Sequence, residues 1–321
     1  MTTETNTSDN KTTLFYLAPV RGITDRVYRN CFAELFPGIE NAITPFVQAI
    51  KGNQVKPTHL VECDPAQNRM TIIPQIIGHD PNRFIDLARQ LADIGNEAVN
   101  WNLGCPYPTM TKKRKGAGLL PYPEIIDRFL DQVCSKLSLR LSVKMRLGQE
   151  QPEECLAVIP VLNRYPLQHV TIHPRIGAQM YTGQVDLETL RVCCTQLKHP
   201  IIYSGDIFTA DDYRCLSADF PQIRTWMLGR GLLQNPHLLQ EIENGREISL
   251  SEKRAKLYLL HEALFAEYSQ RLSGPTHQLQ RMRDHWVYWS QSFPECEKYF
   301  KKIRRAKTLG KYLDQVDTIL R

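Results

Sequence analysis

Short apolar segments alternate with helical patterns along the first 230 residues of the chain. Segments such as Asn82–Ile94 and Pro123–Leu137, which lie between the apolar ones, repeat apolar residues at helical spacing. Strands that alternate with helices form parallel sheets, and eight such units are typical of a (β/α)8 barrel rather than an open sheet. We therefore predict an α/β fold, a TIM barrel, with strands at Leu14–Ala18, Asn41–Phe46, Thr71–Ile77, Ala98–Asn102, Arg140–Met145, His169–His173, Ile201–Ser204 and Thr225–Leu228.

The pattern changes after residue 250, where strand signals end. Helical patterns remain in Glu252–Arg271, Thr276–Ser292 and Glu295–Leu309, with glycine and proline between them. We expect a catalytic barrel domain over residues 14–243 and an all-helical domain over residues 244–321. Residues 1–13 are polar throughout, which favours a disordered tail.

The basic charge of the chain is concentrated in this helical part. The formal net charge is +6, and residues 251–321 hold 14 Lys and Arg against 8 Asp and Glu. The surplus therefore lies wholly in the C-terminal segment, which indicates a polyanionic partner there.

The cysteines and the hydropathy pattern restrict the class of protein. Nine cysteines without a CxxC pair suggest reduced thiols rather than a disulfide framework or a metal site. No run approaches the roughly 20 apolar residues of a membrane helix, and residues 1–13 lack the apolar centre of a signal peptide. We expect a cytoplasmic protein, monomeric and without contact to a membrane.

Cys105 occupies a position that is typical of catalytic residues. It follows the strand Ala98–Asn102 and precedes Pro106, which lacks a backbone donor and ends strand pairing. Barrel enzymes carry their chemistry at such strand ends. The alternative interpretation is that Cys105 is a small buried hydrophobe.

Other strand ends of the barrel carry polar residues and glycine-rich loops. Barrels often bind phosphate with the loops after the last two strands, here Ser204-Gly-Asp206 and Gly229-Arg-Gly231. A phosphate anchor beside a ring of polar groups predicts a planar phosphorylated cofactor such as FMN. Gln75 would then pair with the pyrimidine edge of the flavin, and Lys144 would stabilise charge at its N1–O2 side.

Arg146 and His173 also lie at predicted strand ends, and the interpretation of both leaves alternatives open. Arg146 can lie in the loop after its strand while Lys144 pairs with a carboxylate, because unpaired cations inside a barrel are costly. His173 can equally be a structural histidine.

The sequence Asn102-Leu-Gly-Cys-Pro106, followed by Gly116-Ala-Gly-Leu-Leu120, resembles the signature of the tRNA-dihydrouridine synthases. The resemblance extends from about residue 14 to beyond residue 300, with further blocks in the family's order. Arg281-Met-Arg283, ahead of Trp286 and Tyr288, resembles the C-type members, which modify uridine 16 of the D-loop. The further blocks are Ala18–Asp25, Val143–Gly148 and Met227–Gly231.

The resemblance implies a flavin-dependent reduction of a uracil ring in tRNA. NADPH reduces FMN, the flavin N5 passes hydride to C6 of the base, and Cys105 gives a proton to C5. A thiol near its ordinary pKa of roughly 8.5 stays protonated at neutral pH, as this role requires. The uridine must be flipped out of the folded tRNA to enter a barrel mouth.

The resemblance also assigns roles by matching position. His173 is implied to lie at the junction of flavin and substrate, and in the basic C-terminal segment we expect Arg281 and Arg283 to contact the tRNA. The residues implied to hold the uridine are Asn102, Arg146 and Tyr181. Those implied to contact FMN are Pro19, Val20, Arg21, Gln75, Lys144, Ser204, Gly205, Asp206, Gly229 and Arg230.

Two other functions are compatible with parts of the pattern. An FMN barrel that reduces a free pyrimidine, of the dihydroorotate dehydrogenase kind, would use Cys105 and Lys144 but leave the basic helical segment without a purpose. A non-catalytic tRNA-binding protein would use that segment but would need neither residue.

Overall fold

The computed structural model describes residues 13–39, 41–49 and 57–321 of the chain. The tail predicted for residues 1–13 lies, apart from Thr13, outside the described residues. The strands are β1 (Leu14–Leu17), β2 (Asn41–Ile43), β3 (Val47–Gln48), β4 (Thr71–Ile73), β5 (Gln75–Ile77), β6 (Ala98–Leu103), β7 (Arg140–Gly148), β8 (Leu167–Ile176), β9 (Ile201–Tyr203) and β10 (Thr225–Leu228).

Helices follow most of these strands, and the C-terminal part is helical throughout. The helices are α1 (Arg26–Leu35), α2 (Pro57–Glu62), α3 (Pro81–Asp93), α4 (Pro108–Thr111), α5 (Pro123–Cys134), α6 (Glu154–Leu162), α7 (Leu187–Gln196), α8 (Ala210–Asp219), α9 (Arg230–Gln234), α10 (Leu238–Asn244), α11 (Leu250–Arg271), α12 (Pro275–Trp289), α13 (Cys296–Arg305) and α14 (Leu309–Leu320). Short 3-10 helices lie at Pro65–Gln67, Gly116–Leu119 and Ser290–Ser292.

The strands form one parallel sheet in the order β3-β5-β6-β7-β8-β9-β10-β1-β2-β4. Strands β4 and β5 are two halves of the predicted strand Thr71–Ile77, divided at Pro74, which has no N–H for the ladder. The first half pairs with β2 and the second with β6, so the chain itself closes the sheet at Pro74. The predicted TIM-barrel fold is confirmed.

The two longest strands extend beyond their predicted ends. β7 continues to Gly148 and β8 to Ile176, and the register pairs Arg146 with His173. Arg146 therefore lies within a strand, and the alternative that placed it in the loop is wrong. The alternation of Ser142, Lys144 and Arg146 with apolar residues continues because one face of β7 points into the barrel.

Aromatic packing joins the strands to the outer helices. The indole of Trp101 stacks on Phe129 of α5 at 3.9 Å between ring centroids, and Phe84 of α3 meets the same ring edge-on at 5.2 Å. All three side chains are buried. The main core thus lies between sheet and helices, and it leaves the strand ends available for a site.

The last helix predicted from the sequence ends earlier than expected, and a further helix follows it. The helix predicted over Glu295–Leu309 ends at Arg305, and α14 begins at Leu309. The hydroxyl of Thr308 accepts the N–H of Lys311 at 3.4 Å, which satisfies a donor at the start of the new helix. Among the described residues, no helix is long and apolar enough to cross a membrane.

The helical segment is tied to the barrel beside β1. The hydroxyl of Tyr268 in α11 donates to the carboxylate of Asp25, the N-cap of α1, at 2.9 Å. The guanidinium of Arg281 in α12 donates to the carbonyl of Gly22 and lies 4.0 Å from Asp25. Gly22 has φ +81°, a conformation that favours glycine. The turn that follows β1 is therefore held by the C-terminal helices.

Candidate active site

Two adjoining cavities lie at the carboxyl ends of the strands. The larger, of about 280 Å³, is lined by Pro19, Val20, Arg21, Pro45, Phe46, Gln75, Asn102, Gly104, Cys105, Pro106, Tyr107, Lys144, Tyr181, Arg230 and Tyr288. The smaller, of about 70 Å³, is lined by Ala18, Pro19, Val20, Lys144, His173, Tyr181, Ser204, Gly205, Asp206, Ile207, Phe208, Gly229, Arg230 and Gly231. The residues predicted to contact FMN all line one cavity or both, whereas Arg146, Arg281 and Arg283 line neither.

The thiol of Cys105 forms part of the wall of the larger cavity. Its residue is only 6% exposed, and burial raises the pKa of the thiol. The backbone N–H of Tyr107 and the charges of Arg21 and Arg146 lower the pKa but do not cancel the effect of burial. A thiol with a raised pKa carries its proton at neutral pH, which is the state that a proton donor needs.

Gly116 is the glycine that shapes the turn carrying the thiol. Gly116 has φ +59°, and a Cβ there would lie 2.5 Å from the carbonyl oxygen of Cys105. The same carbonyl accepts the N–H of Ala117 at 3.0 Å. The Gly-Ala loop therefore packs directly against the residue that carries the thiol.

In the basic loop Lys112–Lys115, the side chain of Arg114 packs on an aromatic ring. The guanidinium of Arg114 lies 4.5 Å from the ring centroid of Tyr122, at a backbone φ of +49°. The side chains of Lys112 and Lys113 are exposed.

A chain of buried amides positions the Cys105 turn. The side-chain oxygen of Asn102 accepts the N–H groups of Gly104 and Cys105 at 3.0 and 2.8 Å. The Asn102 amide nitrogen must then donate, and it does so to Gln75 at 2.6 Å. The Gln75 nitrogen in turn donates to Asn100 at 2.8 Å.

The same chain continues to the centre of the barrel. The amide nitrogen of Asn100 donates to the hydroxyl of Ser142 at 2.9 Å, and that hydroxyl donates to the carbonyl of Val99 at 3.3 Å. Because backbone groups stand at both ends, the orientation of every amide between them is determined. One N–H and one oxygen lone pair of Gln75 remain for a ligand in the cavity.

Lys144 is a half-buried cation between the two cavities. Removal from water lowers the pKa of its ammonium to about 7, and the nearby charge of Arg146 acts in the same direction. Within the described part of the chain, no carboxylate lies in ion-pair contact with Lys144, so the suggested pairing with an acidic residue is not observed. Because burial disfavours the charged form of Lys144, an anionic ligand beside it would be favoured.

Arg146 lies behind the cavity and supports its wall. Its guanidinium donates to the carbonyls of Gly104 at 3.0 Å and Ile176 at 2.9 Å. It also lies 5.2 Å from the ring centroid of Tyr181. The residue thus ties the Cys105 turn to the end of β8.

The smaller cavity has the features of a phosphate cradle. Asp206 is held by Arg175 and Arg230, each at 2.5 Å. Burial raises the pKa of this carboxyl, but the Arg175 hydrogen bond and the Arg230 charge outweigh burial and lower it. A Cβ on Gly231 would lie 1.8 Å from the carbonyl oxygen of Ile207, so the two loops pack closely.

The start of α9 adds donors to that cradle. The helix begins at Arg230, and the first N–H groups of a helix have no partner within it. Together with the hydroxyl of Ser204, these groups suit a phosphate.

His173 is held in its neutral form. Burial lowers its pKa well below the ordinary value, and the charges of Arg146, Lys144, Arg175 and Arg230 add to the effect. Its Nε2 lies 3.3 Å from a guanidinium nitrogen of Arg175, which can only donate. The ring proton therefore resides on Nδ1.

Comparison with known proteins identifies the family. The model of the dihydrouridine synthase (Dus) family matches residues 16–320. The chain belongs to the dihydrouridine synthase family. The family predicted from the Cys105 motif, and with it the prediction of an enzyme of this kind, is confirmed.

Individual relatives of this dihydrouridine synthase are distant in sequence. It is 27% identical over 304 residues to the tRNA-dihydrouridine(16) synthase of Pseudomonas putida, covering 90% of this chain and 92% of the relative. The enzyme of the same name from Vibrio parahaemolyticus is 24% identical over 300 residues, with 90% of each chain covered. The tRNA-dihydrouridine synthase B of Pasteurella multocida is 29% identical over 234 residues, 71% of this chain and 68% of the relative.

Solved structures share the fold of this dihydrouridine synthase. The old yellow enzyme homologue of Zymomonas mobilis superposes with a TM-score of 0.52 at 12% identity, over 73% of this chain and 89% of the other. Morphinone reductase in complex with tetrahydroNAD gives a TM-score of 0.50 at 11% identity, over 74% and 88% of the two chains.

The cavities also include residues that sequence reasoning did not assign to the site. Tyr107 follows the motif proline directly, and Phe46 ends a predicted strand, so their positions gave a signal. Tyr288 comes from α12, and nothing local to it indicates that it reaches the barrel mouth. Among the described residues, no group of three or more His, Cys, Asp or Glu side chains is placed to hold a metal ion.

Proposed function

We propose that this dihydrouridine synthase reduces a D-loop uridine of tRNA, at position 16, to 5,6-dihydrouridine with FMN and NADPH. The observation that carries the proposal is the shared placement of Cys105 and Lys144 on one cavity that adjoins a phosphate-type cradle. The names of two of the relatives support the position of the uridine.

The donor set of the two cavities fits a phosphorylated flavin. Ser204, Arg230 and the start of α9 would hold the phosphate, and Lys144 lies where the cavities meet. The larger cavity has three cations in its lining and no carboxylate, which favours anionic ligands. Gln75 offers one donor and one acceptor to the edge of a planar ring.

The chain's own residues would prepare the uracil for reduction. A reduced flavin bound here would supply the hydride for C6. The Cys105 thiol holds its proton at Sγ and would give it to C5 of the base. Asn102 fixes the backbone that leads into that thiol, because its side-chain oxygen accepts the N–H groups of Gly104 and Cys105.

The helical residues 244–321 would form the tRNA-binding domain beside a catalytic domain of residues 14–243. α13 carries cations at Lys301, Lys302, Arg304 and Arg305; among the described residues none of the four forms an ion pair with a carboxylate, although the charge of Lys302 acts on Glu295. Such a surface neutralises RNA phosphates and makes binding depend on salt. Arg281 is already engaged with Gly22 and Asp25, so we assign it to the link between the domains, whereas Arg283 of the same helix α12 stays assigned to tRNA contact.

The proposal is tested by substituting the thiol. Cys105→Ala should keep the binding of FMN and tRNA but lose dihydrouridine formation, measured by nucleoside mass spectrometry after incubation with FMN, NADPH and a tRNA transcript. Cys215→Ala is the matched control, because Cys215 is exposed and lines neither cavity. Full activity of Cys105→Ala would remove Cys105 as the acid, and failure of the wild type to bind FMN would refute the proposed cofactor.

A further inference from the structure

Two tyrosines from separate parts of the chain meet at the larger cavity. Tyr107 follows β6 and is 45% exposed, although it lines the cavity. Tyr288 lies on α12 in the C-terminal helices and lines the same cavity. We call these two residues the tyrosine pair.

The hydroxyl group of Tyr288 lies in the electrostatic field of its aromatic neighbours. Burial raises the pKa of Tyr288, and the neighbouring Tyr181 and Tyr107 act in the same direction. Tyr181, itself 44% exposed, has the guanidiniums of Arg146 and Arg230 within 5.2 and 5.0 Å of its ring centroid. The entrance to the cavity is thus formed by phenol rings with cations behind them.

Packing of the core does not account for this arrangement. Large core aromatics of the barrel, such as Trp101 and Trp226, are at most 1% exposed, whereas Tyr107 leaves much of its ring in water. Exposed rings beside cations form the stacking platforms with which proteins hold single-stranded nucleic acid. A paired nucleotide cannot present its face to such a ring, but an unpaired one can.

We infer that the tyrosine pair is a subsite for the unpaired nucleotide next to the one that is reduced. This inference rests on the proposed function. The part of the cavity lined by Cys105 and Lys144 takes the reacting base, and the exposed ring of Tyr107 and the half-buried ring of Tyr288 take the adjoining nucleotide. Because one ring belongs to α12, the subsite is complete only when the C-terminal helices are docked on the barrel.

The test measures the binding of full-length protein to two RNAs. Tyr288→Ala and Tyr107→Ala should each raise the Kd for an unmodified tRNA transcript roughly ten- to a hundredfold, since one stacking contact is lost. The Kd for a blunt-ended, fully paired RNA duplex should change less than about twofold, because phosphate contacts remain. Tyr288→Phe keeps the ring and should bind tRNA nearly as the wild type does.

Controls separate the subsite from other causes. Val287→Ala alters the next residue of α12, which is exposed and lines neither cavity, and should leave both affinities unchanged. Tyr288→Leu keeps apolar bulk and serves if the alanine variant fails to fold. Wild-type affinity of Tyr288→Ala or Tyr288→Leu for tRNA would overturn the inference.

Two further results have a clear meaning. A raised KM for NADPH with unchanged tRNA binding would assign the pair to the nicotinamide and would also overturn the inference. A selective loss of tRNA affinity in a protein whose wild type forms no dihydrouridine would support the subsite and refute the proposed reaction instead.

Discussion

Asn102 is the residue through which the backbone of the thiol turn is held, and Asn102→Ala tests that role. The substitution removes an acceptor for two N–H groups, at 3.0 and 2.8 Å, and a donor to Gln75 at 2.6 Å. A buried donor left without a partner costs about 1–3 kcal/mol. Water from the adjoining cavity can replace some of the lost hydrogen bonds. We therefore expect the free energy of unfolding to fall by about 2–4 kcal/mol.

Asn102→Asp separates the hydrogen bonds that Asn102 accepts from the backbone from the one that it donates to Gln75. The carboxylate keeps both backbone hydrogen bonds but places an oxygen against the oxygen of Gln75. Gln75, Asn100 and Ser142 must then all reverse their hydrogen bonds, which presents the opposite edge of Gln75 to the cavity. We expect a smaller loss of stability, about 1–2 kcal/mol, together with weakened flavin binding.

The assays are urea denaturation, flavin fluorescence quenching and the rate of dihydrouridine formation. Asn102→Ala should reduce that rate at least about a hundredfold, because displacement of a reacting group by 1 Å costs that much. Ser142→Ala removes only the remote end of the amide chain. It should reduce stability and the rate of dihydrouridine formation less than either Asn102 variant does. Asn102→Ala with wild-type stability and rate would refute the role assigned to this amide chain.

Three further predictions concern the thiol, its loop and the cavity cation. Iodoacetamide at pH 7.5 should alkylate exposed Cys215 well before Cys105, whose pKa is raised by burial, as peptide mass spectrometry would show; equal rates would contradict the buried thiol. Gly116→Ala should cost about 2–4 kcal/mol in urea denaturation because its Cβ meets the Cys105 carbonyl, whereas Gly95→Ala, with φ +96° and open space, should cost about 1 kcal/mol; equal losses would contradict this contact. Flavin-free protein at pH 8 should take up nearly one proton on binding FMN, because Lys144 with a pKa of about 7 is mostly neutral there and an anion raises that pKa; calorimetry in buffers of different ionisation enthalpy should show no uptake for Lys144→Met.

The barrel could be predicted from the sequence because each strand is an apolar segment bounded by turn residues. The division of Thr71–Ile77 at Pro74 could not, since it depends on two different neighbours for the two halves. The C-terminal end of β7 was placed too early, at Met145, because Arg146 is charged, although the strand continues to Gly148. In the helical segment, the cap at Thr308 was hidden inside a continuous polar pattern.

The candidate site was predictable where one local motif carries the residue. Cys105 and Asn102 stand within such a motif, and the structure places both on the larger cavity. The amide chain was not predictable, because Gln75, Asn100 and Ser142 lie on three strands and meet only in the closed barrel. The same is true of Tyr288, whose approach to Cys105 depends on how α12 docks.

The central claim is tested most directly by a reaction on two tRNA transcripts. One transcript carries uridine at position 16, and in the other that nucleotide is replaced by cytidine, with every other uridine retained. Incubated with the protein, FMN and NADPH, the first should gain one dihydrouridine, located at position 16 by mass spectrometry of nuclease fragments, and the second should gain none. Equal dihydrouridine in both transcripts would contradict the position, and none in either would contradict the proposed reaction.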